Sequence, residues 1–352
     1  MKKKYKRLYI ISAALLVIFT AVYFNRNALA MTGFDWFLQD GFEKKLETSY
    51  KPAEGRDPKH VGVDLTKEQP FSMLLMGIDQ RKNEVGRSDT MIYTVVRPSD
   101  GNMLLVSIPR DLYVDIAGRK HKDKINHSYA FGRAAMTMDT VEQLFDAPVN
   151  YYATINFEGF RDVIDAMGGI ALPIKEDMVN DNYNHEKFVI KGGQSLYNGK
   201  DALNFVRYRE DAGGDMNRTE RHQQFISAMI DKATGMKQWT KIPQMIEIMG
   251  ENFTTDMRPG KMIDLAQGML QTKERKMYSH TLDGRGERFD NGLWYYLADE
   301  KDLKNVQDMI DNWLDAETPT ASLIMPPKYA EEKGKETKSL SVGTSSLENR
   351  TE

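Results

Sequence analysis

Between residues 70 and 111 the chain alternates short apolar runs with polar breaks. PFSMLLMGID (70–79), TMIYTVVRP (90–98) and NMLLVSIPRD (102–111) are apolar and partly β-branched. The third follows a Pro-Ser-Asp-Gly turn signal, and all three predict strands. The period then lengthens. GRAAMTMDTVEQLF (132–145) has helical spacing, NYYATI (150–155) is strand-like, and FEGFRDVIDAMGG (157–169) predicts a helix stopped by two glycines. GKDALNFVR predicts a helix that runs into a more extended RYR, after which Gly213-Gly214 breaks the chain. IPQMIEIMGENF, PGKMIDLAQGMLQ and DLKNVQDMIDNWL have the pattern of amphipathic helices, and KMYSHTL that of a strand. This alternation predicts an α/β fold: a central mixed sheet flanked by helices on both faces, with active residues at strand ends and loops.

The N-terminal pattern is different. LYIISAALLVIFTAVYF, residues 8–24, runs seventeen positions without a charge. As a helix it would cover roughly 26 Å, close to the ~30 Å of bilayer hydrocarbon. Five of the first seven residues are Lys or Arg, which predicts residues 1–7 in the cytoplasm and everything after Phe24 across the membrane. A cleaved signal peptide is the alternative, with Ala28-Leu29-Ala30 as its cleavage site; against it, the apolar run is long and Asn25-Arg26-Asn27 intervenes. Residues 25–66 read as a membrane-proximal segment and linker, and 67–315 as one large extracytoplasmic domain. Residues 326–352 are polar and nearly free of large apolar side chains, which predicts a disordered tail.

Composition narrows the chemistry. The chain has no cysteine, so neither disulfides nor thiol catalysis are available. A formal net charge of −3 gives no general attraction to nucleic acid or anionic lipid, so any polyanion site must be a local patch. Six histidines show no metal-binding spacing, and GxSxG, HExxH, GxxxxGK[ST] and GxGxxG are all missing.

Two groups of residues could carry chemistry. Asp79 closes the first strand, Arg87 and Asp89 precede the second, and Arg110-Asp111 ends the third. If those strands pair, the two carboxylates meet and could hold a divalent cation; oxygen-only ligation favours Mg²⁺ or Mn²⁺ over Zn²⁺. An aspartate at a strand end is more often a turn or cap residue. The second group is RYREDAGGDMNRTERHQQF (207–225), with Arg207, Arg209, Arg218 and Arg221 beside Glu210, Asp211, Asp215 and Glu220. It is either an ion-pair network or a phosphate site; four arginines and no lysine suit bidentate phosphate binding. Lys124 and Asn126 lie in a loop, KHKDKINHSYAFG, that is either a further contact or a solvated basic loop.

Taken in order, the membrane anchor, GID…GRSDTM, SIPRD, KINHSYAFG, LYNGKDALNFVRYR and GDMNRTERHQQF resemble the LytR-CpsA-Psr family of cell-envelope enzymes, over about residues 70 to 235. The resemblance implies transfer of an anionic glycopolymer, such as wall teichoic acid or capsule, from undecaprenyl pyrophosphate to peptidoglycan through a phosphodiester. It implies Asp79 and Asp89 as metal ligands for Mg²⁺ or Mn²⁺, and, with Arg110, Arg207 and Arg209, as the catalytic group. It implies Arg87, Arg218, Arg221 and Gln223 as substrate contacts, beside which Lys124 and Asn126 stand as candidates from their loop, and an apolar groove for the lipid including Phe157, Phe160 and Ile164. His222 departs from the pattern, standing where the family's first glutamine is usual. A lipid pyrophosphatase and a non-catalytic polyanion-binding or regulatory protein are the alternatives; the site falls beyond the membrane span, which excludes nucleic acid as its partner.

Overall fold

Three strands consecutive in sequence form the centre of the molecule. The computed structural model describes residues 46–56, 69–79, 86–181, 187–208, 214–235, 248, 252–271 and 276–329. The expected anchor at 8–24 lies outside these; among the described residues no helix is long and apolar enough to cross a membrane. In chain order the elements are β1 (Phe71–Asp79), β2 (Arg87–Arg97), β3 (Asn102–Ile108), β4 (Tyr113–Asp115), β5 (Lys122–Lys124), α1 (His127–Phe145), β6 (Tyr151–Asn156) and α2 (Phe157–Ala166). There follow β7 (Met178–Asn180), β8 (Phe188–Ile190), α3 (Gly199–Arg207), α4 (Gly214–Gly235), β9 (Phe253–Thr255), α5 (Pro259–Gln271), β10 (Lys276–Thr281), β11 (Gly284–Arg288), β12 (Trp294–Ala298) and α6 (Glu300–Leu314).

The main sheet has the order β10-β3-β2-β1-β6-β9. Within it β1 runs antiparallel to β2 and β2 to β3, whereas β1 and β6, and β3 and β10, run parallel. The predicted mixed α/β sheet is thus present, with helices on both faces. Residues of β1 to β3 alternate between two cores, as the two-residue period of a strand requires. Leu74, Met76, Met91, Tyr93, Leu104 and Val106 pack with Phe145 of α1 and with Val306, Ile310 and Trp313 of α6. Leu75 and Ile92 face the other side, where α2, α3 and α4 gather around Ile164, Leu203, Phe205 and Phe225.

Local signals set the helix ends. Asn156 and Asn198 cap α2 and α3, each side-chain oxygen accepting a backbone N–H three residues on at 2.8 Å. Gly168 and Gly169, at φ 77° and 88°, turn the chain after α2 as the Gly-Gly pair predicts. Helix α1 begins five residues before the predicted start and is broken there, at Gly132 and Arg133 (φ 56°). The expected helix IPQMIEIMGENF falls largely outside the described residues, and its last residue, Phe253, opens β9.

Packing reaches past both expected domain limits. Lys51 N–H donates to the Thr255 carbonyl at 2.8 Å, and Arg56 bonds Asp139 at 2.9 Å and Glu142 at 2.7 Å, so residues 46–56 join the sheet edge to α1. At the other end Leu323 enters the core and Trp313 Nε1 donates to the Ile324 carbonyl. Arg97, buried in β2, donates to the carbonyls of Trp313, Asp315 and Thr318.

Beside residues 46–56, Asp256 accepts the Tyr152 N–H at 2.8 Å, and burial pushes its pKa up to about 6 from an ordinary 3.8. A carboxyl raised in the fold contributes stability below the unfolded pKa and loses it as pH rises through the folded one. Asp256→Asn is therefore expected to match wild type in thermal stability at about pH 4 and to exceed it above pH 6, by on the order of 2 kcal/mol. Melting curves across that range test this; a gap independent of pH would refute it.

Candidate active site

The two aspartates reach the same end of the sheet by different routes. Asp79 ends β1 opposite Arg87. The pairing then slips: Gly77 opposes Thr90 while Ile78 opposes Ser88, so Asp89 is the extra residue of a β-bulge. A bulge re-aims the side chain it carries. Here the Asp89 carboxylate meets Arg110 Nη1 at 2.7 Å, at the end of β3, the strand that pairs with β2. Arg110 Nε is 3.5 Å from Asp111, whose other oxygen takes Lys124 Nζ at 2.7 Å. Desolvation works against the charge of Arg110, but Asp89 and Asp111 outweigh it and raise its pKa above the ordinary arginine value. The loop carrying Lys124 and Asn126 is tied in place by its backbone: Ile125 N–H donates to Leu112 O at 2.8 Å and Asn126 N–H to Arg110 O at 3.2 Å. Alternating charges thus run Asp89, Arg110, Asp111, Lys124 across one rim.

Next to that rim lies a cavity of about 440 Å³. Its floor is the sheet face carrying Leu75, Gly77, Thr90, Ile92 and Ala153; its walls are Phe157, Phe160 and Ile164 of α2, Leu203 and Val206 of α3, and Phe225, Ile226 and Met229 of α4. Phe160 and Phe225 stack with centroids 4.7 Å apart. The lining is predominantly apolar, with Asn180, Asn204 and His222 as buried polar members. Asp89, Arg110 and Arg207 border it. The guanidinium carbon of Arg207, an exposed residue ending α3, sits 4.8 Å from the Phe157 ring centroid. An apolar chamber with cations and a carboxylate at its mouth suits an amphiphile with an anionic head.

The other residues singled out in the sequence divide. Asp79 and Arg87 face each other across β1 and β2, Arg87 exposed, neither in the cavity wall. Arg209 lies outside the described residues, as do the side chains of Arg218 and Gln223. Arg221 is within α4 but buried away from the cavity: its Nη2 donates to the Tyr208 carbonyl at 2.6 Å. His222 beside it lines the cavity. Phe157, Phe160 and Ile164 do form the apolar wall. Sequence reading missed Asn180 and Phe188, from the short β7–β8 hairpin, which carries no strong strand pattern. It also missed Asn204, a buried polar residue of α3.

Among the described residues no group of three or more His, Asp or Glu is placed to hold a metal ion. Mg²⁺ does not demand one: it is commonly held by one or two carboxylates, with water and substrate phosphate completing the shell. Asp79 and Asp89, hard oxygen donors at one end of one strand pair, fit that mode.

Fold and site together define a class: a mixed α/β protein with an apolar chamber opening on arginine and aspartate. The profile of the LytR_cpsA_psr family matches residues 37–312, and the chain belongs to that family. It is 36% identical over 308 residues to the polyisoprenyl-teichoic acid–peptidoglycan teichoic acid transferase TagU of Bacillus licheniformis, covering 87% of this chain and 95% of that relative. The crystal structure of Bacillus subtilis TagU superposes with a TM-score of 0.55 at 35% identity, over 70% of this chain and 97% of that one. A structure of TagT bound to LI-WTA gives 0.58 at 27% identity, over 76% and 96%.

Proposed function

We propose that this chain is a phosphotransferase that moves an anionic, teichoic-acid-like glycopolymer from a polyisoprenyl pyrophosphate carrier to peptidoglycan. The observation that carries this reading is the apolar cavity with Arg207 and the Arg110–Asp89 pair on its border. The isoprenoid tail occupies the chamber between sheet and helices, where its burial is favourable by about 25 cal/mol per Å² of apolar surface. The pyrophosphate lies at the mouth, where Arg207 and Arg110 offer planar forks to its oxygens. A peptidoglycan hydroxyl attacks the glycopolymer-side phosphorus, the bond to the carrier phosphate breaks, and polyisoprenyl phosphate leaves. Such a transfer depends mainly on positioning and charge neutralisation, which fixed guanidiniums supply without reorganising. Mg²⁺, held by Asp79 and Asp89, would add neutralising charge on the pyrophosphate oxygens.

The same reading places the chain in the cell membrane through residues 8–24, with the domain on the outer side, beside both lipid carrier and wall. The charge asymmetry around that apolar run supports this.

The test incubates the full chain in detergent with a synthetic undecaprenyl pyrophosphate-linked saccharide and a peptidoglycan oligomer, with Mg²⁺ or EDTA, and reads products by mass spectrometry. A saccharide-phosphate-peptidoglycan adduct that forms with Mg²⁺ and is lost in EDTA is the expected result. Undecaprenyl phosphate released without adduct would replace the transferase with a pyrophosphatase, and an intact donor in every condition would reject both.

A further inference from the structure

Two buried side chains of α4 reach the same short piece of backbone. Arg221, 6% exposed, donates Nη2 to the Tyr208 carbonyl at 2.6 Å, with its guanidinium carbon 5.4 Å from the Tyr208 ring centroid. His222, 7% exposed, meets the Val206 carbonyl through Nε2 at 3.2 Å. These carbonyls flank Arg207, the last residue of α3. There the chain leaves the helix, Tyr208 being extended at φ −63° and ψ 138°.

We propose that Arg221 and His222 are positioning residues for Arg207: by gripping residues 206 and 208 they fix the direction in which Arg207 projects, over Phe157 and toward the cavity mouth. What Arg207 binds rests on the reading above. The physical case is local. The last carbonyls of a helix have no intrahelical partner, and buried N–H donors satisfy them. The His222–Val206 bond is buried and the Arg221–Tyr208 bond part-buried; away from bulk water such bonds are strengthened, and losing one leaves a carbonyl short of a partner, so the backbone shifts to recover one. A shift at 206 or 208 swings the Arg207 side chain through several times that distance at its guanidinium.

The proposal also accounts for His222. Facing a carbonyl, its Nε2 must carry the hydrogen, which both the neutral Nε2–H tautomer and the cation provide. A glutamine amide provides an N–H as well. Histidine at this position therefore keeps the task that a glutamine can perform.

The experiment titrates the full chain in detergent with geranylgeranyl pyrophosphate by calorimetry, as wild type, Arg207→Ala, Arg221→Ala and the double variant. Arg221→Ala is expected to weaken binding roughly 10- to 100-fold, although Arg221 is no part of the cavity wall. The double variant is expected to be within about 3-fold of Arg207→Ala alone, because a grip on the backbone has nothing to orient once Arg207 is gone. Losses that multiply would give Arg221 its own ligand contact and overturn the proposal. His222→Gln should bind within about 3-fold of wild type and His222→Leu roughly 10-fold more weakly; equal losses in both would overturn it. A readout without ligand runs in parallel: amide hydrogen exchange at residues 206–208, referenced to β1–β3, should rise in Arg221→Ala and His222→Leu and not in His222→Gln. Were wild type not to bind the probe, the reading of the site would fail while the exchange data still judged the grip, and unchanged exchange would reject it.

Discussion

Asp89→Ala is expected to lower glycopolymer transfer by roughly 10²- to 10³-fold, the usual effect of removing one preorganised charged group from a reaction centre. Its carboxylate sits on a β-bulge, 2.7 Å from Arg110, on the border of the cavity. Two effects are removed together: a candidate Mg²⁺ ligand, and the anion that orients Arg110. Asp89→Asn separates them, since an amide oxygen can still accept from Arg110 but binds Mg²⁺ poorly. If orientation dominates, the asparagine variant retains most activity; if the negative charge dominates, it falls with alanine. The fold should tolerate both changes, because the pair is part-exposed, and such pairs contribute about 1 kcal/mol or less. Turnover of Asp89→Ala within about 3-fold of wild type, judged against that expected loss, would remove Asp89 from the active site.

Arg207→Ala is the second large effect, about 10²-fold in turnover, with melting temperature nearly unchanged. The stability claim follows from exposure: the guanidinium lies over the Phe157 face at 4.8 Å, a contact in the range of 0.5–1 kcal/mol at an exposed site. Arg207→Lys should recover only part of the loss, since an ammonium neither forks onto two phosphate oxygens nor stacks flat on an aromatic ring. Full activity in the lysine variant would mean that charge alone is needed there; full activity in the alanine variant would contradict a pyrophosphate site at this mouth.

The elements with strong periodicity were legible in the sequence. FSMLLMGID, MIYTVVR and NMLLVSI could hardly be other than strands, and the Asn caps and Gly-Gly stop of α2 are written in its residue types. The apolar wall was partly anticipated, through the family resemblance that pointed to Phe157, Phe160 and Ile164. The bulge was not. A one-residue slip between Gly77 and Ile78 leaves no compositional mark, yet it decides where the Asp89 side chain goes. Three-residue strands such as β4, β5, β7 and β8 are too short for a period to register, and every residue of β11 is exposed, so no alternation marks it. Arg221 shows the limit most clearly. Nothing in RYREDAGGDMNRTERHQQF marks its partner, and only the approach of α3 to α4 brings it onto the Tyr208 carbonyl.

The strand order of the main sheet carries a consequence for how the molecule is made. Its centre, β1 to β3, is the first part of the sheet to leave the ribosome, but its two edges are β9 and β10, contributed more than a hundred residues later. β6 covers the β1 edge of this meander, but the β3 edge stays open until Thr281 has emerged, so pairing there waits on a distant partner and folding is correspondingly slow. Arg97 waits longer still, for carbonyls 216 to 221 residues downstream. A nascent chain stopped short of Trp313 would hold the sheet strands and lack all three oxygens that make a buried guanidinium tolerable, which makes the C-terminal stretch the closing step of biogenesis.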